Sequence, residues 1–351
     1  MGSTPKKGPG APRDQPRQPR QRAASATLAH ARDAAESLLL KGNAVDAVVA
    51  GVFAAAATQP TVLLGPVQLL FGGGGAGMRA LSGRCRQPGL GADRPRGFRE
   101  GDPIPEAARV SVPGLPAGLV AALAAGGDAS LAQVMGPAVE LAKGSPRRAV
   151  LQSLLARGAV AMSEGAILSE LLQAANRVAG GILTRQDLED MLPESDACIV
   201  HKVDARGIFS VPWGSGAVFP GSTDEGPDAR WVHSVLAVDR RGLFAMACFE
   251  EPMDALSLPE LGLGAPLLAT PVRRGEPRVK PGTAIGAAFP GAMVERSGAV
   301  DIALSVAGSV RGEAEVRGLL ARVLSDEPVG AATSGRLLGI TATRSAAATL
   351  G

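Results

Sequence analysis

The side chains that most often carry chemistry in proteins are sparse in this sequence and stand far apart. The 351 residues contain three cysteines and three histidines, at Cys85, Cys198, Cys248, His30, His201 and His233. None of them has the spacing of a metal site or a redox pair, and an odd cysteine count is not typical of a disulfide framework. We therefore expect no metal and no cofactor.

Two adjacent polar residues, His233 and Ser234, interrupt an otherwise apolar stretch from Trp231 to Val238. A second apolar run, 243–249, follows after a short turn that ends in Gly242, and this pattern predicts a β-hairpin. Both faces of the first strand are largely apolar, so we expect a central strand covered on each side. In the simplest interpretation, the His and the Ser are incidental polar positions of a packed strand.

Four consecutive glycines, Gly72–Gly75, follow the apolar run 69–71. Such a run predicts a backbone that takes positive φ or approaches another group closely. The spacing is not that of a dinucleotide-binding or phosphate-binding loop, because no Lys-Ser or Lys-Thr follows it. A plain flexible loop is the other interpretation.

The elements that must position these residues fall in a clear order. Amphipathic or apolar helix patterns cover 27–41 and 44–58, strand patterns cluster between 198 and 307, and a helix pattern returns at 313–324. Aromatic residues make up only 3% of the chain and Tyr is absent, so the core must be built from Ala, Val, Leu and Ile. This order predicts an α/β sandwich with sheet between helical layers.

The positive charge of the chain is local. Residues 1–26 hold six basic side chains and one acidic one, a net charge of +5. Since the whole chain has a net charge of +3, the remaining residues carry −2. We expect a disordered basic tail over 1–26, no nucleic-acid surface on the folded body, and a flexible C-terminal tail over 331–351. No apolar run is long enough for a membrane span, and no signal peptide is recognisable, so the cytoplasm is the expected location.

Several short motifs, taken in order, resemble the gamma-glutamyltransferase (gamma-glutamyl transpeptidase) family of N-terminal nucleophile hydrolases. They are Gly42-Asn43-Ala44-Val45-Asp46-Ala47, Gly72–Gly75, Val112-Pro113-Gly114 with Ala117-Gly118-Leu119, and Gly180-Gly181-Ile182-Leu183-Thr184 with Asp187-Leu188. The resemblance covers roughly residues 27–325 and implies a four-layer αββα sandwich of two mainly antiparallel sheets. It divides a domain over 27–330 into a large-subunit region, 27–230, and a small-subunit region, 231–330.

The resemblance also implies a precursor that cleaves itself to free an N-terminal Thr, whose hydroxyl attacks gamma-glutamyl amides and whose amine is the base. Counting back from the turn at Asp239 and Gly242 puts this position on Val232, which has no nucleophilic atom. A shift of one or two residues would put Ser234 there instead.

The other motif positions are partly retained. The serine pair that would grip the substrate carboxylate corresponds to Gly286 and Ala287. Of the acidic pair after Met253, Asp254 is kept and the second acid is Ala255. The oxyanion turn corresponds to Gly308 and Ser309, and Arg99 is similar to the arginine that clamps the substrate carboxylate.

Three functional hypotheses follow. The first is a gamma-glutamyltransferase-like protein that is unprocessed and catalytically inactive or impaired. The second is a divergent gamma-glutamyl or other amide hydrolase that uses Ser234. The third is a non-catalytic module in which Arg99 and the Gly72–Gly75 loop hold a gamma-glutamyl compound or another small anionic ligand.

Overall fold

The chain folds into helices and antiparallel sheets. The computed structural model describes residues 22–93, 95–213, 231–308, 312–329, 335–342 and 347–350. The helices in these ranges are α1 Ala29–Leu39, α2 Ala44–Thr58, α3 Leu115–Gly126, α4 Leu131–Leu141, α5 Arg147–Arg157, α6 Gly165–Ala174, α7 Arg185–Glu189 and α8 Gly312–Leu324. The strands are β1 Ala23–Ala26, β2 Val67–Gly73, β3 Ala76–Gly83, β4 Glu194–Asp196, β5 Ile199–Val203, β6 Arg206–Ser210, β7 Trp231–Val238, β8 Leu243–Glu251, β9 Ala255–Leu258, β10 Leu263–Pro266, β11 Gly291–Arg296, β12 Ala299–Ala307, β13 Arg336–Ala342 and β14 Ala347–Leu350.

Most of the strands belong to two six-stranded sheets. The first sheet has the order β1-β7-β8-β2-β3-β4, and the second has the order β14-β13-β12-β11-β6-β5. Neighbouring strands are antiparallel throughout both sheets. Strands β9 and β10 form a separate ribbon. The expected mixed class of helices and antiparallel sheet is confirmed.

The predicted hairpin lies at the centre of the first sheet. Strands β7 and β8 pair over their whole length, from Trp231 opposite Glu251 to Val238 opposite Phe244. Asp239 closes the turn, because its Oδ1 accepts hydrogen bonds from the amides of Arg241 and Leu243. Successive side chains of β7 point to opposite faces of the sheet. Both faces are buried, as the apolar composition predicted.

One face of the first sheet packs against α1 to α5 in a large apolar cluster. Helix α2 is buried along almost its whole length, and it begins with a capping box between Asn43 and Asp46. At Gly51 a Cβ atom would lie 2.9 Å from the carbonyl oxygen of Ala31 and 2.9 Å from Val235 Cγ1. Glycine therefore allows α1, α2 and β7 to approach one another closely.

The other face of the first sheet packs against the second sheet. Val232, Leu236 and Val238 of β7 meet apolar side chains of β11, β12 and β13 in a second cluster. A third cluster joins the outer face of the second sheet to α8, through Val316 and Leu320 among others. Residues of β7 at odd and even positions thus belong to different cores.

The two expected tails, 1–26 and 331–351, each contain residues that form strands, so both expectations are wrong in part. Ala23–Ala26, assigned to the disordered tail, form β1 and pair with β7 from Ala23 opposite Val238 to Ala26 opposite Val235. Similarly, β13 and β14 lie within 331–351, and β13 pairs with β12 in the second sheet. The Ala-rich segment Ala23–Ala26 has little intrinsic strand propensity, so its pairing comes from the sheet beside it.

Candidate active site

The position that the motif comparison assigns to the nucleophile, Val232, lies near the start of β7. Its side chain is 1% exposed and belongs to the core between the two sheets. Its carbonyl oxygen accepts a 2.7 Å hydrogen bond from the amide of Gly308, which follows the last residue of β12. The structure therefore brings together Val232 and the first residue of the oxyanion-turn pair. Ser309 lies outside the described residues.

Gly308 has a left-handed backbone conformation, with φ +71°, and the indole of Trp231 packs against it. A Cβ atom at this position would lie 3.0 Å from the Trp231 ring. Both the backbone angle and the ring contact therefore favour glycine here. The indole in turn makes an edge contact with His233, with ring centres 6.5 Å apart.

His233 points to the opposite face of the sheet from Val232. Its Nε2 lies 2.8 Å from Glu251 Oε2, and its ring lies against Phe249 at a centroid distance of 5.5 Å. Burial lowers the pKa of His233, although the hydrogen bond and the charge of Glu251 act in the other direction. The imidazole is therefore neutral at pH 7. It contacts Glu251 and Phe249, and it lies on the opposite face of the sheet from Val232.

Ser234 lies in a hydroxyl and thiol cluster sealed between the sheets. Its Oγ is 2.7 Å from Ser305 Oγ, and Ser305 in turn donates to the carbonyl oxygen of Pro290 at 2.8 Å. Cys248 Sγ lies 3.5 Å from Ser234 Oγ. Ser234 and Ser305 are 0% exposed. Burial raises the pKa of the Cys248 thiol to about 12, so the cluster offers neither an accessible hydroxyl nor a thiolate.

The segment that corresponds to the serine pair is held by three buried polar side chains. Gln68 Nε2 donates to the carbonyl oxygen of Ala287 at 2.9 Å, and the Ala288 amide donates to Glu250 Oε1 at 2.8 Å. The Phe289 amide donates to Glu313 Oε1 at 3.2 Å. Gly286 itself is exposed, and a Cβ atom there would meet nothing within 4 Å.

Sequence reasoning missed Gln68, Glu250 and Glu313. Glu250 lies opposite Val232 in the β7–β8 ladder, so its carboxylate stands on the same face of the sheet. Burial raises the pKa of Glu313, and the charge of Glu250 adds to that effect. A polar residue inside an apolar strand pattern, as at Gln68 and Glu250, is the signal that could have identified them.

Arg99 and Asp254, the two expected substrate-binding residues, make no ion pair with each other. Asp254 is largely exposed and pairs with Arg109, with 3.6 Å between Oδ2 and Nη2. Arg99 is exposed, and its amide donates to Asp102 Oδ2 at 2.7 Å. Within the described ranges the Arg99 guanidinium has no ion-pair partner, so its charge is available to a ligand.

The Gly72–Gly75 loop lies away from Val232. Gly73 pairs with Leu243 next to the β7–β8 turn, whereas Val232 and Glu250 pair at the other end of the same ladder. The loop therefore lies outside the surroundings of Val232, and the hypothesis that it holds an anion together with Arg99 stays a prediction. Among the described residues, no group of three or more His, Cys, Asp or Glu side chains could hold a metal ion. None of the helices described here has the length and apolarity of a membrane span.

Comparison with known proteins identifies the fold. No protein-family model matches the sequence, and no curated protein matches it either. Among solved structures, cephalosporin acylase from Bacillus halodurans superposes with a TM-score of 0.70 at 14% identity, over 95% of this chain and 88% of that chain. The protein LmbA2991 superposes with a TM-score of 0.68 at 15% identity, over 96% of this chain and 99% of that chain. The gamma-glutamyltranspeptidase of Helicobacter pylori matches over 55% of this chain and 70% of that chain, at 23% identity and a TM-score of 0.47.

Proposed function

We infer that the chain has the fold of the N-terminal nucleophile hydrolases, because it superposes on cephalosporin acylase over 95% of its length with a TM-score of 0.70. We propose that it is a gamma-glutamyltransferase-like protein that stays uncleaved and does not turn over amide substrates. The ordered motifs from Gly42 to Leu188 support the family, and the face-to-face packing of the two sheets between helices supports a four-layer αββα arrangement.

The observation that carries this proposal is the chemistry at Val232. Self-cleavage in this fold class needs a hydroxyl or thiol at the residue that becomes the new N-terminus. Val232 offers two methyl groups, and they are packed in the core between the sheets. The Gly308 amide, which would stabilise an oxyanion, is paired with the Val232 carbonyl oxygen. The attack therefore lacks its hydroxyl, and the one oxyanion-turn amide that the structure describes is already hydrogen bonded.

The hydrolase that would use Ser234 is disfavoured by the same geometry. A nucleophile must reach both its substrate and a base. Ser234 Oγ instead has Ser305 as its nearest hydroxyl neighbour and no exposed surface. The imidazole of the adjacent His233 stands on the other face of the sheet. Reaching Ser234 would require the two sheets to separate.

A binding role is compatible with the one motif residue, Arg99, that could still contact an anionic ligand. Gly286, Ala287 and Ala255 offer no side-chain donor or acid for a gamma-glutamyl group, whereas Arg99 is exposed and has no ion-pair partner among the described residues. We propose that any ligand near the former substrate site is a gamma-glutamyl compound or another small anion held mainly by Arg99. A charge-assisted hydrogen bond of this kind contributes about 1.5–3 kcal/mol, and less where it is exposed.

Intact-mass measurement of the purified full-length chain under denaturing conditions tests the proposal. We expect one species with the mass of the whole chain, also after prolonged incubation at neutral pH. Two fragments with Ser222, Thr223 or Ser234 at the new N-terminus would contradict it. A gamma-glutamyl anilide assay on the same sample should show no hydrolysis above that of a heat-denatured control.

A further inference from the structure

A cleft of about 360 Å³ lies at the end of the first sheet that is remote from Val232. Its apolar lining includes Phe71, Ala125 and Leu243, and Arg79 and Arg241 contribute the positive charges. A volume of this size falls at the lower end of the range for small-molecule sites in proteins, which is about 300–1,000 Å³. The cleft is thus large enough for a compact organic molecule.

The glycine run explains how this cleft is built. Gly73 and Gly74 have positive φ angles, and a Cβ atom on Gly74 would lie 2.8 Å from the Arg241 carbonyl oxygen. The β2–β3 turn therefore packs directly on the β7–β8 turn and fixes Arg241 beside the cleft. Gly77 is different, because its φ is not in the left-handed region and a Cβ atom there would meet nothing within 4 Å. At this position the missing side chain leaves the cleft open.

The two arginines at the cleft differ in the ion pairs that they make with the described residues. Arg241 is engaged by Asp128, with 2.7 Å between Nη2 and Oδ2, and its Nε lies 3.5 Å from Asp239 Oδ2. Arg79 pairs with Phe71 in the β2–β3 ladder, so its side chain stands on the same face as that aromatic ring. Arg79 is exposed and has no ion-pair partner among the residues that the structure describes.

We propose that this cleft binds a small organic anion. Arg79 holds its carboxylate or phosphate group, and Phe71 and Leu243 contact its apolar part. A guanidinium fork matches either oxyanion with two parallel hydrogen bonds. The proposal is independent of the function proposed above, because none of its residues belongs to the surroundings of Val232. A second cleft is lined by Arg96 and Phe98, and Arg79 and Phe71 take no part in it.

Titration of the full-length chain with phenyl phosphate and with phenylacetate, followed by calorimetry or NMR, tests this site. We expect saturable binding of at least one probe, weakened by added salt because the contact is exposed. Arg79→Ala should weaken binding by at least about tenfold, because it removes both charge-assisted hydrogen bonds of the guanidinium at an exposed site. Gly77→Val should abolish it by filling the cleft. Neither change should lower the melting temperature, since Arg79 pairs with no carboxylate of the described residues and a Cβ at Gly77 has space.

Arg96→Ala is the matched control, because Arg96 is also an exposed arginine that lines a cleft. It should leave probe binding unchanged. The proposal is overturned if neither probe binds in the millimolar range, if binding survives both Arg79→Ala and Gly77→Val, or if Arg96→Ala alone removes it. Binding of only one probe assigns the anion as a phosphate or a carboxylate.

Discussion

The backbone amide of Gly308 donates a 2.7 Å hydrogen bond to the carbonyl oxygen of Val232. Val232 lies in β7 of the first sheet, and Gly308 directly follows β12 of the second sheet. The motif comparison gives them separate roles, as nucleophile position and oxyanion turn. Their pairing shows that the two positions meet in space, and that the amide is occupied by the protein itself.

Replacing Val232 by Thr should not restore self-cleavage or turnover. The change adds a hydroxyl of nearly the same shape, but Gly286, Ala287 and Ala255 still provide no side-chain partners for a gamma-glutamyl substrate. The buried hydroxyl should instead lower the free energy of unfolding by about 1–3 kcal/mol. Intact mass, a gamma-glutamyl anilide assay and urea unfolding check these points. Measurable turnover from this single change would show that the residue assignment around the hairpin is wrong.

Ser234→Ala should act on stability alone. The variant loses the 2.7 Å contact between Ser234 and Ser305, and we expect the free energy of unfolding to fall by about 1 kcal/mol. Ser305→Ala should cost at least as much, because Ser305 also donates to Pro290. Since the two hydroxyls share one contact, the double variant should lose less than the sum. Strict additivity in urea unfolding would contradict the cluster.

His233→Gln should reduce the pH dependence of stability. Burial lowers the pKa of His233 in the folded state, so below about pH 6.5 the unfolded chain binds more protons there than the folded one. The free energy of unfolding of the natural chain therefore falls as the pH decreases through this range. Gln keeps an N–H donor for Glu251 and removes the titration. Melting curves between pH 5 and 8 should be flatter for the variant, with His201→Gln in β5 as the control.

Glu313→Gln should stabilise the protein at neutral pH. The folded-state pKa of Glu313 is raised by burial and by the charge of Glu250, so at pH 7 this carboxyl opposes folding. Gln preserves an oxygen that accepts from the Phe289 amide. The gain should disappear as the pH falls through the raised pKa towards about 4.5, where the unfolded carboxyl is protonated as well. Exposed Glu260 supplies the control variant Glu260→Gln, and an equal gain there would refute the explanation.

A chain that begins at Thr27 should melt several degrees below one that begins at Arg22. The shorter chain lacks β1, which pairs with β7 over Ala23–Ala26 and buries Ala24 and Ala26. Without it, β7 becomes an edge strand with unpaired backbone groups. Differential scanning calorimetry of the two chains makes the comparison. Equal melting temperatures would mean that β1 contributes nothing to the first sheet.

The central hairpin and helix α2 could be predicted from the sequence because their signals are local. Alternation marks β7, Asp239 and Gly242 mark its turn, and the capping box marks the start of α2. The expected tail boundary failed at β1 because nothing in Ala23–Ala26 indicates a strand. Its order comes from β7, which is more than two hundred residues away in the chain.

The surroundings of Val232 could be predicted only in part, because they depend on contacts between distant segments. The motif positions of Val232 and Gly308 were assigned separately, and no pattern shows that they would be hydrogen bonded. Gln68 reaches the Ala287 carbonyl across 219 residues, and Glu313 of α8 accepts from the Phe289 amide. Local sequence patterns carry no information on such partners.

The strand order has a consequence for how any cut between Trp213 and Trp231 would be noticed. The first sheet takes β1 to β4 from the N-terminal part and β7 and β8 from the C-terminal part. The second sheet likewise combines β5 and β6 with β11 to β14. In both sheets, strands of the two parts are hydrogen bonded to each other. Cleaved halves would therefore stay together and migrate as one particle in a native gel or on a sizing column. Only separation in denaturant distinguishes a nicked molecule from a continuous one.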